Sequence, residues 1–228
     1  MKITIQILFV IVVAFSLTSC STVADPERIL LNLPDHAGPD QALRTYMEAY
    51  QNAKKEGRDT MPVRREIEKL ADRYPYFVLI WEANARLAYN HGELQKARRF
   101  LDVVYQMDRN RPEAAVLRSR LAMSDGNLTL ARQILQDQIK LAPDHAGLQE
   151  TLSAVFYFEK KYDQAEEALR LAFKFGGDRT RLNYHRGLIE EARGHTDKAI
   201  KHYEEALKGP QSFELAKPRL AALKASQG

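Results

Sequence analysis

The sequence has few of the residues that form covalent crosslinks or strongly biased surfaces. Cys20 is the only cysteine among 228 residues, so no disulfide can form within the chain. Tryptophan also occurs once, and the net charge of +4 comes from 34 basic and 30 acidic residues that are mixed along the chain. Such mixing is typical of solvated helix faces, and we therefore expect no nucleic-acid partner.

Motifs of the common enzyme and metal-binding classes are missing as well. The sequence contains no HExxH pair, no Cys–His cluster, no phosphate-binding glycine loop and no GxSxG turn. The histidines show no metal-ligand spacing, and we interpret them as solvated; they are His36, His91, His145, His185, His195 and His202. We expect a protein without catalytic residues, metal or cofactor.

The longest apolar run lies at the N-terminus and is too short to favour a membrane-spanning helix. Residues 3–17 are almost wholly apolar and follow the basic residue Lys2, a pattern typical of a signal peptide. The run ends in Leu-Thr-Ser-Cys at positions 17–20, which resembles the lipobox of bacterial lipoproteins. This resemblance implies that residues 1–19 are removed as the signal peptide and that Cys20 is lipidated, with palmitate among the acyl chains. The alternative is an ordinary secretory signal with a chance cysteine.

The residues after Cys20 bear on localisation. In lipoproteins of the enterobacterial type, aspartate after the cysteine retains the protein in the inner membrane, whereas this chain has Ser21. The resemblance therefore implies a lipid anchor in the cell outer membrane, with the protein facing the periplasm. Residues 20–40 contain several prolines and aspartates and no helical period, so we expect a lipidated cysteine followed by a flexible tether.

The rest of the sequence repeats with a period of 34 residues. One column of the repeat is invariant, and its members are Ala97, Ala131, Ala165 and Ala199. Five residues earlier stand Gly92, Gly126, Lys160 and Gly194, and four residues later stand Leu101, Leu135, Leu169 and Tyr203. A register without slip over four units predicts a stack of identical structural units.

The columns resemble the tetratricopeptide-repeat (TPR) family, with Trp81, Gly92, Ala97 and Leu101 matching in one unit. The resemblance implies an all-α fold, an α-solenoid of about five helical hairpins plus a C-terminal capping helix. The predicted solenoid covers residues 41–213, and its units are residues 44–77, 78–111, 112–145, 146–179 and 180–213. A capping helix and tail follow at 214–228. Asn84 and Arg118 depart from the family's leucine, and we expect the first unit to lack the turn glycine.

Particular columns have a physical reason. The glycines five residues before each alanine predict tight turns with positive φ between the two helices of a hairpin. Small residues such as Gly187, Ala199 and Ala206 predict a close crossing of the two helices, where a larger side chain would separate the backbones.

In TPR solenoids the first helix of each hairpin lines a concave groove that binds peptides or partner helices. The repeat phase places candidate partner-binding residues there, namely Arg86, Tyr89, Asn90, Arg120, Met123, Tyr157, Phe158, Arg181, Tyr184 and His185. We interpret the basic clusters, including Arg64 and Arg65, as solvated second-helix faces and turns. The alternative is that they contact anionic lipid or glycan. The terminal segment 213–225 offers a surface for a homodimer.

Together these features predict an outer-membrane lipoprotein that acts as a periplasm-facing adaptor for envelope proteins. Lipoproteins of similar architecture serve pilus and secretin biogenesis or recruit peptidoglycan enzymes. The alternative is a glycan-binding accessory of exopolysaccharide export or cell-wall metabolism, which would use the groove tyrosines.

Overall fold

The computed structural model describes residues 37–208 and 212–226, and within these ranges the secondary structure is entirely helical. Eleven helices follow one another: α1 (Pro39–Lys55), α2 (Met61–Arg73), α3 (Val78–Asn90), α4 (Leu94–Met107), α5 (Pro112–Ser124), α6 (Leu128–Leu141), α7 (Ala146–Phe158), α8 (Tyr162–Lys174), α9 (Arg179–Ala192), α10 (Thr196–Ala206) and α11 (Ala216–Ala225). The predicted signal peptide, Cys20 and most of the predicted tether lie outside the described residues. None of the described helices is long and apolar enough to span a membrane.

The helices pair into five antiparallel hairpins, α1–α2 through α9–α10, and α11 packs against α10 at the end. The repeated alanine column lies at the centre of each hairpin interface from the second to the fifth. Ala97, Ala131, Ala165 and Ala199 are completely buried, as are Leu135, Leu169 and Tyr203 four residues later. The predicted all-α solenoid of five hairpins with a C-terminal helix is therefore confirmed.

The first helices form the inner layer of this stack. From α3 to α9, each first helix contacts the first helix of the next hairpin, in addition to its own second helix. No two second helices within the described residues are packed as closely. Repeated packing of this kind curves the array so that the first helices line its concave side.

The hairpin turns have the predicted geometry. Gly92, Gly126 and Gly194 have φ angles of 75°, 76° and 79°, in the left-handed region where a Cβ is costly. In the fourth hairpin Lys160 takes this role with φ of 60°, the only positive-φ residue other than glycine in the described ranges. The first hairpin does contain a turn glycine, Gly57 with φ of 68°, which lies one residue out of register because its connecting segment is longer.

Two sequence-based expectations need correction here. The tether was expected to extend through residue 40, but α1 begins at Pro39, whose fixed φ and missing amide hydrogen suit the first turn of a helix. Arg64 was expected on a solvated face, but it is only 2% exposed. Its Nη2 donates to Glu93 Oε1 at 2.8 Å and its Nη1 contacts Met61 Sδ at 3.1 Å. The buried guanidinium thus connects the first hairpin to the turn of the second.

Candidate protein-binding surface

Two arginines stand out on the inner layer. Arg86 on α3 and Arg120 on α5 are equivalent in the repeat, and both are exposed on first helices that contact each other. Neither forms an ion pair or hydrogen bond with any described residue, whereas most arginines of the array do. An unpaired guanidinium keeps its full capacity to bind a carboxylate in a bidentate manner. Positive charge is therefore available at this part of the inner face.

The other candidates near this pair are less uniform. Asn90, at the end of α3, is exposed, as the repeat phase predicts. Tyr89 and Met123 are half-buried, because each packs against the hydrophobic cluster of its own hairpin. Each presents only part of its side chain to a partner, and each also supports the fold.

An aromatic pair lies further along the inner layer, at the C-terminal end of α7. Phe158 is 59% exposed, and its ring meets that of Tyr157 edge-on, with the centroids 5.5 Å apart. Tyr157 is half-buried and also lies 6.1 Å from the ring of Tyr162. Burial raises the pKa of Tyr157. This pair combines a fixed ring with a largely free one, an arrangement suited to contact with an apolar or planar group.

Arg181 and His185 converge on Glu150, a buried carboxylate of α7. Arg181 Nη2 donates to Glu150 Oε2 at 2.7 Å, and His185 Nε2 lies 3.3 Å from Glu150 Oε1. Burial by itself raises the pKa of Glu150, but the hydrogen bonds from His185 and Arg181 outweigh it and hold this pKa below its ordinary value. Both side chains are therefore engaged with a buried carboxylate although they stay partly exposed, and they join the fourth hairpin to the fifth.

The same connection occurs two units earlier. Glu82 of α3 is 8% exposed and accepts from Arg111, whose Nε lies 2.9 Å from Glu82 Oε2. Glu82 and Glu150 are two periods apart in the sequence, so the repeated glutamate could be recognised from the sequence. Its role as an ion-pair partner could not, because the partner arginines occupy different positions in their units.

Tyr184 is packed rather than free. Its ring centroid lies 5.9 Å from that of Tyr203 and 4.9 Å from that of Phe213. Nearby, Glu191 Oε2 accepts from the Tyr203 hydroxyl at 2.5 Å, and Glu191 Oε1 accepts from Arg219 Nη1 of α11 at 2.9 Å. The C-terminal end of the inner face is thus occupied by contacts with the capping helix.

The interpretation of the histidines as solvated fits the exposed His91 and His195, whereas His145, His185 and His202 are partly buried. Four of them pair with polar or acidic side chains: His91 with Tyr50, His145 with Glu113, His185 with Glu150 and His195 with Glu190. His202 is half-buried. Burial lowers its pKa first, and the nearby charge of Arg186 lowers it further. Within the described ranges, no three His, Cys, Asp or Glu side chains are grouped to hold a metal ion.

The geometry agrees with comparisons to known proteins. The family model "Tetratricopeptide repeat" matches residues 180–208, which form most of α9 and α10. No curated protein sequence matches the chain. Among solved structures, a thermophilic TPR protein of Thermus thermophilus is similar over 82% of this chain and 100% of its own, with a TM-score of 0.69 at 16% identity.

Two further structures show the same fold. A tetratricopeptide repeat protein of Parabacteroides merdae matches 82% of this chain and 78% of its own, with a TM-score of 0.66 at 16% identity. In the APC/C hetero-tetramer Cut9–Hcn1, the similarity covers 89% of this chain but 40% of the other, with a TM-score of 0.73 at 15% identity. The chain therefore contains a tetratricopeptide repeat at residues 180–208 and has the fold of a TPR solenoid.

Proposed function

We propose that the chain is a protein-interaction scaffold whose inner face binds an acidic segment of a partner protein. Proteins of the TPR fold typically serve as interaction modules rather than enzymes. The observation that carries the proposal is the pair of exposed, unpaired arginines, Arg86 and Arg120, on adjacent first helices. A partner that places carboxylates opposite both of them would gain two charge-assisted contacts.

Crosslinking of the full chain in its native cells, followed by identification of the captured proteins, tests this function. The double charge reversal Arg86→Glu and Arg120→Glu should abolish capture of the specific partner. The matched control is Arg170→Glu, which changes an exposed arginine of α8 on a second helix. If the double variant captures the same proteins as the wild type, the inner face is not the binding site.

We further propose that this scaffold is anchored by lipid at Cys20 in the outer membrane and faces the periplasm, where it organises an envelope assembly. The sequence Leu-Thr-Ser-Cys at 17–20, followed by Ser21, supports this. Mass spectrometry of the mature N-terminus should find an acylated Cys20. The Cys20→Ser variant should no longer reach the outer-membrane fraction. An unmodified Cys20 in the mature chain would exclude the anchor but leave the scaffold function open.

A glycan-binding role is the second candidate, and the Tyr157–Phe158 pair favours it, because sugar rings stack on exposed aromatic side chains. In that case Tyr157→Ala should abolish pull-down of the chain on cell-wall or capsular polysaccharide, while capture of protein partners persists. Retention of polysaccharide binding in Tyr157→Ala would remove the basis of this alternative.

A further inference from the structure

A cleft lies on the side of the solenoid away from the inner face, between α4, α5 and α6. Its main cavity has a volume of about 320 Å³, within the range of ligand-binding clefts. A second cavity of about 150 Å³ continues along α5 toward Arg98. Arg118, Leu130 and Ile134 line both cavities, so the two form one elongated cleft between the second and third hairpins.

The cleft exists because Arg118 departs from the residue that the repeat favours at its position. TPR sequences favour leucine at the position of Arg118, and the equivalent residue of the next hairpin, Leu152, is buried in the core. A guanidinium is too costly to bury without a partner. Arg118 instead lies over the ring of Tyr105, with its Cζ 4.2 Å from the ring centroid. The space between the second helices α4 and α6 is left open on either side of it.

The fifth hairpin contains the same arrangement in a closed form. Arg186, two periods after Arg118, lies 6.0 Å from the ring of Phe173, and its Nε donates to Glu166 Oε1 at 3.1 Å. The residue equivalent to Glu166 near the cleft is Arg98, which is itself paired with an aspartate of the α5–α6 turn. The fourth hairpin thus supplies a carboxylate to the arginine of the fifth, whereas the second hairpin supplies none to Arg118.

Consequently the guanidinium groups on the Arg118 side of the cleft remain available to a carboxylate from outside the chain. Arg109 also lies over Tyr105, at 5.2 Å, and neither it nor Arg118 forms an ion pair with a described residue. Three acidic side chains also line the cleft, and none of them forms an ion pair with Arg118 or Arg109; Asp102 lies in the smaller cavity with Arg98. Asp137 accepts from Lys140 at 2.8 Å, and Asp108 accepts from the backbone amide of Asn110 at 2.8 Å.

The floor and rim of the cleft are apolar. Leu130 is 43% exposed and Leu141 is 57% exposed, both on α6, and Val104 of α4 closes the bottom. Large aliphatic side chains exposed beside unpaired guanidinium groups are complementary to a segment that is both acidic and apolar.

We propose that this cleft binds an acidic peptide segment of a partner protein. One carboxylate lies between Arg118 and Arg109, and an aliphatic side chain packs against Leu130 and Ile134. The site is additional to the inner face, because Arg118 and Arg120 are two residues apart on α5 and therefore about 200° apart around the helix. One partner held on both sides, or two different partners, would then be joined at the third hairpin.

The test uses the full chain and a fluorescein-labelled peptide of repeated Asp-Leu-Leu-Glu units, with binding followed by fluorescence anisotropy. Arg118→Leu restores the family residue and fills the space, so it should fold at least as well as the wild type. It should weaken binding about tenfold or more, since a charge-assisted contact is lost. Arg120→Leu is the matched control and should leave this affinity unchanged. Peptides with Lys in place of the acids, or Ser in place of Leu, should bind weakly.

Photocrosslinking then shows where on the protein the peptide binds. A photocrosslinking residue at Gln133, which lines the cleft, should capture the peptide, whereas one at Asn90 on the inner face should not. The proposal is overturned if the wild type does not bind the peptide or if Arg118→Leu binds it equally well. Loss of binding in Arg120→Leu alone would also overturn it, and would place the acidic segment on the inner face as the proposed function requires.

Discussion

Tyr203 of α10 occupies the space that a side chain on Gly187 of α9 would need. A Cβ built on Gly187 would lie 2.5 Å from Cδ1 of the Tyr203 ring, well inside van der Waals contact. The equivalent pairs of the preceding hairpins combine a small residue with leucine: Ala85 with Leu101, Ser119 with Leu135 and Ser153 with Leu169. In the last hairpin the larger side chain of Tyr203 is therefore accommodated by the smaller residue Gly187, and the two helices still cross closely.

We expect Gly187→Ala to destabilise the protein by about 1–3 kcal/mol, because the added methyl group overpacks a well-filled interface. The double variant Gly187→Ala with Tyr203→Leu reproduces the combination found in the second hairpin. It should regain part of the loss, short of the full amount because the hydroxyl contact with Glu191 is gone. Urea unfolding of both single variants and the double variant measures this coupling, and purely additive effects would contradict it.

The repeat fold could be predicted because its information is local in sequence. Ala97 and its equivalents show a period that converts directly into hairpins, and Gly92 and its equivalents mark the turns. Gly57 was missed since the longer first connection shifts it out of register. Arg64 was misjudged because charge alone indicates a solvated position, whereas its burial depends on Glu93 in the next hairpin.

The candidate surface was predictable only in part for the same reason. Arg86 and Arg120 lie exposed on the inner layer, as their repeat position indicates. Arg181 and His185 share that layer, but both are already paired with the buried Glu150. Such pairing depends on which side chains of neighbouring hairpins come into contact. The repeat pattern of the sequence does not specify these contacts.

Lys160 provides a test of turn geometry. For a residue with a Cβ the left-handed conformation costs about 1–2 kcal/mol, a cost that glycine avoids. Glycine also makes the unfolded chain more flexible, which offsets about 0.4–1 kcal/mol of this gain. Lys160→Gly should therefore raise the free energy of unfolding by about 0.5–1 kcal/mol. The reciprocal control is Gly126→Ala, which should lower it by about 1 kcal/mol although the added Cβ meets nothing within 4 Å. Equal stability of Lys160→Gly and the wild type would rule out strain at this turn.

The Arg181–Glu150 contact should contribute more than the many surface pairs. Arg181→Met leaves Glu150 buried with His185 as its only remaining side-chain partner in the described structure, and we expect a loss of about 2–3 kcal/mol. Adding Glu150→Gln should recover much of this, because the stranded charge is removed. Arg179→Met, at an exposed site of the same helix, should change stability by roughly 0.5 kcal/mol at most. Thermal unfolding of the wild type and the three variants measures these changes. If the Arg181–Glu150 contact behaved as an ordinary surface pair, adding Glu150→Gln would recover no stability.

His202 should make stability depend on mildly acidic pH. Its pKa in the folded protein lies below the ordinary 6.5, because burial and the charge of Arg186 disfavour the imidazolium, although Glu166 and Glu190 partly offset this. Between the two pKa values the unfolded chain binds the additional proton more readily, so the free energy of unfolding falls as the pH decreases below about 6.5 and is fully restored above it.

The acidic groups act in a different range. Glu150 and Glu190 have pKa values held below the ordinary 4.5, so their contribution is present above that pH and is lost only as the pH falls further. Urea unfolding at about pH 7 and about pH 5 therefore isolates the histidine contribution. The His202→Gln variant should lose less stability between these two conditions than the wild type does. An unchanged pH dependence in this variant would show that the half-buried imidazole is not the titrating group.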